Sequence, residues 1–494
     1  MEENEFTFEV ESAQKKSPDI QPTMKESLER IKANQKNKRK KSRLMGLCAF
    51  ILAMLAGAFA AAVAVNALLA FADKTLTMSH INLFITALWI CGIASAVALI
   101  LSVVTYFIKK QRKGFAVAAT IISLLVALSC SAGLYAYHYV FGEIDQDEEF
   151  NQLSDEELYV VKADKDGQIH RDVITVKPTI KDTEVRDFVE QKQEENPDVV
   201  IEWEALIDDD IPEEALAKMN TGKPTGESYL TGDHAKIVNF ALFGLDKVGS
   251  SDSIIIFSFD RVHHKLKLIS IPRDSYVKVP AFGTYAKLAY PYLWGGAQWA
   301  VGTLNYNFSM NITEYIAVDL GQLEDIIDMV GGVYVDLDYD EAWCLRQFAD
   351  YPTGRNLLHG AAAVAYSRLR ESSATDNEQK RTGRQREVLM SILEKVQTMD
   401  WSEYPEFIRS CLGMCKTSFD NEQLMELCVE VVQNDYTIEQ HALIAYMDYW
   451  GGIIGEAKYF YVVYDLNRAS DQLYRLIYED LYISGYQDEK TTSN

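Results

Sequence analysis

The sequence predicts an α/β protein. A layered α/β domain, with a central mixed sheet flanked by helices, follows three transmembrane helices and a small accessory domain. Two observations carry this reading. Three long apolar runs crowd the first 141 residues. From residue 236 onward, β-rich runs alternate with helix-period segments, the pattern of a layered α/β fold. The 494 residues include 48 Lys+Arg against 72 Asp+Glu, a net charge of −24, and 48% are hydrophobic. That acidity excludes a sequence-independent nucleic-acid binder, because phosphate backbones demand a basic footprint. The hydrophobic share excludes wholesale disorder.

The apolar runs Leu44–Phe71, Ile81–Ile108 and Phe115–Phe141 hold no Lys, Arg, Asp or Glu. Each exceeds the roughly 20 residues that cross a bilayer core, and globular helices rarely stay apolar on every face for so long. The segment KNKRKKSR (Lys36–Arg43) precedes the first run, and KKQRK (Lys109–Lys113) separates the second from the third. By the positive-inside rule both are cytoplasmic. The expected protein therefore sits in the cell membrane with three spans (44–141), a cytoplasmic N-terminal tail (1–43) and an extracellular acidic domain. Met1–Gln35 reads as largely disordered.

Residues 142–235 read as linker and small accessory domain. Gly142–Leu158 is an acidic juxtamembrane linker. Beyond it come a short strand (Val173–Val176), a helix-like run (Asp182–Glu195) and the cluster Asp208–Asp210. No chemistry is evident there, and a solvated spacer is expected. Of the seven cysteines, Cys48, Cys91 and Cys130 lie in the spans; Cys344, Cys411, Cys415 and Cys428 are read as free thiols rather than a disulfide framework.

The main domain spans 236–485, with a polar tail at 486–494. IVNFALFGLD, SIIIFSFD and KLKLISIPRD read as strands ending in polar turns, joined by VYVDLD (Val333–Asp338) and YFYVVYDL (Tyr459–Leu466). Helical periodicity marks Trp299–Phe308, Gly321–Met329, Arg386–Val396, Gln423–Val432 and Ala469–Tyr478.

Candidate chemistry gathers in three places. Asp246 and Asp252 bracket the loop after the first strand. Two carboxylates with phosphate oxygens suit Mg²⁺, although acids also commonly end strands. Arg273 and Asp274 follow a buried strand, where a guanidinium presents a fork to phosphate or joins an ion pair. Arg368 and Arg370, two apart, face one side of an extended segment. Arg381, Arg384 and Gln385, spaced i, i+3, i+4, share a helix face. Arginine suits multidentate phosphate recognition, and surface ion pairs are the alternative. DLDYDE (Asp336–Glu341) fails as an EF-hand, with Glu341 and Gln347 where Gly and Glu are required. No GxSxG, HExxH or Walker loop occurs in the sequence.

Together these residues resemble the LytR–CpsA–Psr family of bacterial cell-wall enzymes, from about Val238 to about Glu479. The resemblance rests on GLD…SD, SIPRD followed by VKVP, YAKLAYPYLWGG, VDLGQLEDIIDMVGGVYVDLD and LLHGAAAVAYSRLRESSATDNEQKRTGRQREVL. It implies a transferase that moves an anionic glycopolymer, such as teichoic acid or capsule polysaccharide, from an undecaprenyl-pyrophosphate carrier to a peptidoglycan hydroxyl. The new bond is a phosphodiester and the leaving group is polyprenyl phosphate. By motif position Asp246 and Asp252 would hold Mg²⁺. Arg273, Lys287, Arg368, Arg370, Arg381, Arg384 and Gln385 would contact pyrophosphate, while Asp274 and Asp376 orient them. Asp246, Asp252, Arg273, Arg368, Arg370 and Arg381 form the implied catalytic set, with Asp246 or Asp274 as candidate general base. An apolar tunnel would receive the polyprenyl chain. Two positions depart from the family pattern. Ser250 stands where the family often has Arg, with Lys247 able to reach in its stead, and Ala289 stands where Asn is favoured. These departures keep open a weakened or specialised enzyme and favour, as one alternative, a non-catalytic lipid-linked sugar scaffold; a polyprenyl-pyrophosphate hydrolase using the same site is the other alternative.

Overall fold

The computed structural model describes residues 21–72, 78–107, 114–141, 145–154, 156–159, 187, 190, 191, 194, 211–219, 236–281, 283–370, 374–399, 403–434, 436–455 and 458–479. The chain divides into two units, 1–139 and 140–494.

In the first unit the uncharged runs form helices α1 (Gln21–Ala72), α2 (Met78–Phe107) and α3 (Gly114–Phe141). Within them Leu47–Ala70, Ser79–Phe107 and Gly114–Val140 are long and apolar enough to cross a membrane. Small and thiol side chains mediate their packing, with Ala56, Leu88, Cys91 and Cys130 in one cluster. The Ser102 and Thr120 hydroxyls join α2 to α3 at 2.9 Å. Leu55, Leu68, Ile93, Ile100 and Leu125 point outward, as lipid-facing positions do. The polar leader departs from expectation, because α1 is already helical at Gln21. Its Lys, Glu, Arg, Gln and Leu residues are strong helix formers, and no glycine interrupts them before Gly46. Met1–Ile20 lies outside the described residues.

The second unit is built on a seven-stranded mixed sheet. Its members are β1 (Asp145–Gln146), β2 (Ile237–Leu245), β3 (Ser251–Asp260), β4 (Lys265–Ser270), β7 (Glu314–Asp319), β10 (Lys416–Thr417) and β11 (Thr437–Ala442), ordered β1-β10-β7-β2-β3-β4-β11. Strand period 2 sorts the side chains into two cores. Ala241, Phe243, Ile254, Ile256 and Ile269 meet helices α5 (Tyr290–Phe308) and α12 (Leu466–Tyr474) on one face. Phe240, Ile255, Phe257 and Leu268 meet α9 (Ala374–Gln397) and α11 (Asn421–Gln433) on the other. Two further hairpins flank the sheet, β5–β6 (Tyr276–Val279, Thr284–Lys287) and β12–β13 (Tyr449–Ile454, Tyr459–Tyr464). A separate cluster unites the β8–β9 hairpin (Val333–Leu337, Gly354–Leu358) with α6 (Leu320–Met329), α7 (Tyr339–Leu345) and α8 (Gly360–Ser367), and α10 (Tyr404–Met414) packs beside it.

The segment read as a juxtamembrane linker is woven into this unit. β1 pairs with β10, the Phe150 ring meets the Tyr315 ring at 4.8 Å, and the Tyr315 hydroxyl donates to Asp147 Oδ2 at 2.5 Å. Asn305 Nδ2 donates to the Leu158 carbonyl at 2.8 Å. Phe150, Leu153 and Leu158 supply the apolar contacts that a free linker lacks. Of the accessory region, the strand at Val173–Val176 and the cluster Asp208–Asp210 lie outside the described residues. In the run Asp182–Glu195 the described positions Asp187, Glu190, Gln191 and Glu194 are helical. The short helix α4 (Glu213–Leu216) docks on the β12–β13 hairpin through Ile211, Ala215 and Met219. Cys411 and Cys415 are free thiols, as expected, and Cys428 lies outside the described side chains.

A buried polar row crosses the sheet on the α12 face. Register aligns Asn239, Ser258, Lys267 and Glu439 on adjacent strands. Lys267 is fully buried. Its Nζ donates to the carbonyls of Leu476 and Ile477 at 2.7 and 3.0 Å, in the π-turn Arg475–Glu479 that ends the described chain. A cation there complements the carbonyl-rich end of a helix. Asn239 Nδ2 reaches Tyr478 Oη at 2.7 Å. Lys267→Met removes the donor from two buried carbonyls and is expected to lower stability by about 2–4 kcal/mol. Tyr478→Phe is expected to cost about 1 kcal/mol. Denaturant titration of the detergent-solubilised protein measures both.

Candidate functional site

One end of the sheet collects the charged residues. Asp246 follows β2, Asp252 lies near the start of antiparallel β3, and Arg273 and Asp274 follow β4. All three positions fall at the same sheet end because β2 and β4 finish where β3 begins. Ligands in α/β sheets commonly bind beyond such strand ends. Two helices close the site from above, α8 contributing its C-cap Arg368 and α9 contributing Arg381 and Gln385.

Asp252 is the centre. Arg273 Nη1 pairs with its Oδ1, Arg368 Nη2 stands 3.6 Å from Oδ2, and Arg381 Nη1 stands 3.9 Å from Oδ1. Arg381 Nη1 also donates to the Asp252 carbonyl at 3.2 Å, and Gln385 Nε2 reaches that carbonyl at 3.4 Å. Arg381 is buried, whereas the Arg368 side chain is 45% exposed. Arg370 is exposed. Partial burial and the charges of Arg273 and Arg381 pull its pKa down, against the opposing pull of Asp274 and Asp252. Burial alone would raise the Asp274 carboxyl, but the charges of Arg273, Lys287 and Arg381 outweigh it and hold the group below its usual range.

Asp246 closes a tight loop. Its Oδ1 accepts the N–H groups of Val248 and Ser250 at 3.0 and 2.9 Å. Gly249, at φ +92°, makes the turn that an L side chain rarely adopts. Burial, then the charge of Asp252, raises the Asp246 pKa against those N–H bonds and Arg273. A half-buried carboxylate beside a second one favours a cation. The donor chemistry therefore fits Mg²⁺ held by two carboxylates, with phosphate and water completing its shell. Among the described residues no group of three or more His, Cys, Asp or Glu converges.

Several expected residues stand elsewhere. Arg384 lies within one helical turn of Arg381 and Gln385 on α9, but its guanidinium is held by other partners. Its Nε pairs with Glu341 at 2.5 Å and its Nη1 donates to the Leu369 carbonyl at 3.0 Å. Both side chains are nearly buried, 4% and 11% exposed, so Arg384 forms the wall behind the site. Lys247 is exposed, and Ser250 is buried with its N–H on Asp246. Ala289 contributes only backbone, its N–H to the Arg273 carbonyl and its carbonyl to the Ser251 N–H. Asp376 lies in α9, its side chain outside the described residues. Sequence reasoning missed Glu341 and Glu387. Glu341 also closes the capping box that Asp338 opens, so D-x-x-E marked the helix start but not the arginine partner. Glu387 accepts the Tyr366 hydroxyl at 2.6 Å and the Asp336 N–H at 2.8 Å.

The mixed sheet thus carries an arginine cluster and paired acids at one end. Residues 209–473, more than half of the chain, match the LytR_cpsA_psr family model, and the chain belongs to that family. The polyisoprenyl-teichoic acid–peptidoglycan teichoic acid transferase TagU of Bacillus cereus is 28% identical over 195 residues, which is 38% of this chain and 63% of that protein. TagU of Enterococcus faecalis is 27% identical over 183 residues, 37% and 59% respectively. The chain thus spans less than two thirds of the length of these curated relatives. Among solved structures, Bacillus subtilis TagT is 20% identical with a TM-score of 0.41, covering 49% of this chain and 91% of that one. TagT with bound octaprenyl pyrophosphate lipid is 20% identical with a TM-score of 0.39, covering 51% and 92%.

The two classes of arginine separate experimentally. Glu341→Ala strands a buried guanidinium and is expected to destabilise by about 3–5 kcal/mol. Arg368→Ala, at a half-exposed side chain, is expected to stay within about 0.5 kcal/mol of the parent. Thermal melts of both variants test this.

Proposed function

We propose that the protein is a membrane-anchored transferase. It moves an anionic glycopolymer from a polyprenyl pyrophosphate carrier to a peptidoglycan hydroxyl and forms a phosphodiester. The carrying observation is the convergence of Arg273, Arg368 and Arg381 on one carboxylate at the end of the sheet. Family membership and the activity named for the TagU relatives support the substrate class. In this reading the guanidinium groups bind the diphosphate oxygens and neutralise the charge that accumulates on the departing polyprenyl phosphate. The Asp252 carbonyl, which also accepts from Gln385, keeps Arg381 aimed. Mg²⁺ on Asp246 and Asp252 would add charge neutralisation at the phosphates. Asp246 and Asp274 are the candidates for general base toward the acceptor hydroxyl. The undecaprenyl carrier, the capsule alternative to teichoic acid, and the topology with cytoplasmic N-terminus and extracellular catalytic domain belong to the same proposal. The pyrophosphate bond supplies the free energy without a nucleotide.

A scaffold that binds lipid-linked sugar is the second reading, favoured by the missing cation at Ser250. One assay separates them: purified full-length protein in detergent with lipid-linked polymer, peptidoglycan and Mg²⁺. The transferase releases polyprenyl phosphate only with acceptor present, and Arg381→Ala lowers turnover about 10²–10³-fold. Equal release without acceptor identifies a hydrolase, and binding without release identifies the scaffold. Chelation is expected to abolish release and leave the melting profile of the α/β unit in place.

A further inference from the structure

Lys287 ends β6, with Tyr276 as its register partner. Its side chain is 4% exposed, and its Nζ stands 3.3 Å from Asp274 Oδ1. The rings of Tyr461, Tyr459 and Tyr290 surround that ammonium, with centroids at 5.4, 5.5 and 5.9 Å. A phosphate ligand has to present its charge to the incoming anion. Lys287 instead has its charge matched by Asp274 inside an aromatic box, where cation–π attraction is strongest because water is excluded. Asp274 Oδ2 in turn lies 3.6 Å from Arg273 Nε, and the far end of Arg273 grips Asp252.

The box is delivered by the β12–β13 hairpin, which is stitched to the same loop. The Val462 N–H donates to the Asp274 carbonyl at 2.8 Å, Ser275 forms an isolated bridge with Val462, and the Ser275 and Tyr464 hydroxyls meet at 2.8 Å. Behind the hairpin, Ile211, Ala215 and Met219 pack against Ile454, Tyr461 and Val463. Lys218 pairs with Asp448 at 2.6 Å. A continuous set of contacts therefore runs from residues 211–219 through the tyrosine box to the Arg273 fork.

We propose that Lys287 is a positioning residue. It fixes Asp274, which sets the angle at which Arg273 meets phosphate, and the hairpin braced by residues 211–219 holds Lys287 in place. This rests on the transferase reading and deepens it, because it removes Lys287 from the direct pyrophosphate contacts and gives the accessory region a role at the site.

A double-mutant cycle on the full-length protein in detergent, with inorganic pyrophosphate as the probe and calorimetry as the readout, tests this. Lys287→Met is expected to weaken pyrophosphate binding about tenfold in the parent. In the Asp274→Asn background it is expected to change binding less than about twofold, because its effect passes through the missing carboxylate. Losses that simply add overturn the proposal, as does an unaffected Lys287→Met. Should the methionine variant melt below the assay temperature, Lys287→Gln carries the same cycle. A parent protein that does not bind pyrophosphate removes the transferase reading and this inference with it. Additive losses in a parent that does bind overturn this inference alone.

Discussion

Asp252 is the anion around which the site is assembled. Two guanidinium groups about 5 Å apart repel by about 3 kcal/mol at the effective dielectric of a protein surface, and three of them approach this carboxylate. Without it, half-buried Arg273 and buried Arg381 would lose the carboxylate they share, which leaves crowded like charges under-compensated and is costly. With it, the cluster carries an excess of positive charge that a single carboxylate does not cancel. That excess faces outward through Arg368 and Arg370, so a domain with strong overall acidity still offers a multiply charged anion a favourable field.

The walls of the site keep this charge where it is useful. Arg384 is consumed by Glu341, and Tyr366 by Glu387, so the face of α9 behind the cluster is satisfied and rigid. Glu387 also holds the Asp336 N–H of β8, which ties the outer hairpin to the helix carrying Arg381. Below the cluster, Asp274 balances Arg273 and Lys287 together. The arginines are therefore held by a central carboxylate and by backbone carbonyls, while aromatic faces hold Lys287. Each restricts rotamers that would otherwise cost entropy when an anion arrives.

Much of this was legible in the residues. Asp246, Asp252 and Arg273 lie at the ends of apolar strand runs, and strand order brings those ends together. What the sequence did not disclose is which way long side chains turn. Arg381 and Arg384 are three residues apart on one helix, a spacing that predicts a common face, yet Arg384 finds a buried carboxylate on the flank. Periodicity fixes where Cβ points, whereas an arginine's remaining bonds follow whichever acid lies within reach. The row Asn239, Ser258, Lys267 was hidden for a different reason. Each sits between apolar neighbours in its own strand, and only register reveals that they adjoin. The strap at Asp147–Leu158 was read as a linker because its acidity masks Phe150, Leu153 and Leu158, whose burial against the Tyr315 face is a tertiary fact.

The division between buried and exposed arginines bears on how such a site can work. Arg381 and Arg273 are largely enclosed and already aimed at the sheet end, so their charge needs no reorganisation when a diphosphate binds. Arg368 and Arg370 lie nearer solvent and can follow an oxygen that moves as a bond lengthens. A cluster made only of buried guanidinium groups would bind its anion and resist releasing it. One made only of exposed groups would be screened within a Debye length. Asp252 allows both kinds to coexist, because it occupies guanidinium donors of each. In the proposed reaction an entering phosphate oxygen would displace an existing ion pair, and the pair would re-form as the oxygen leaves. Such an exchange would lower affinity for product as well as substrate, which turnover of a tightly charged ligand requires.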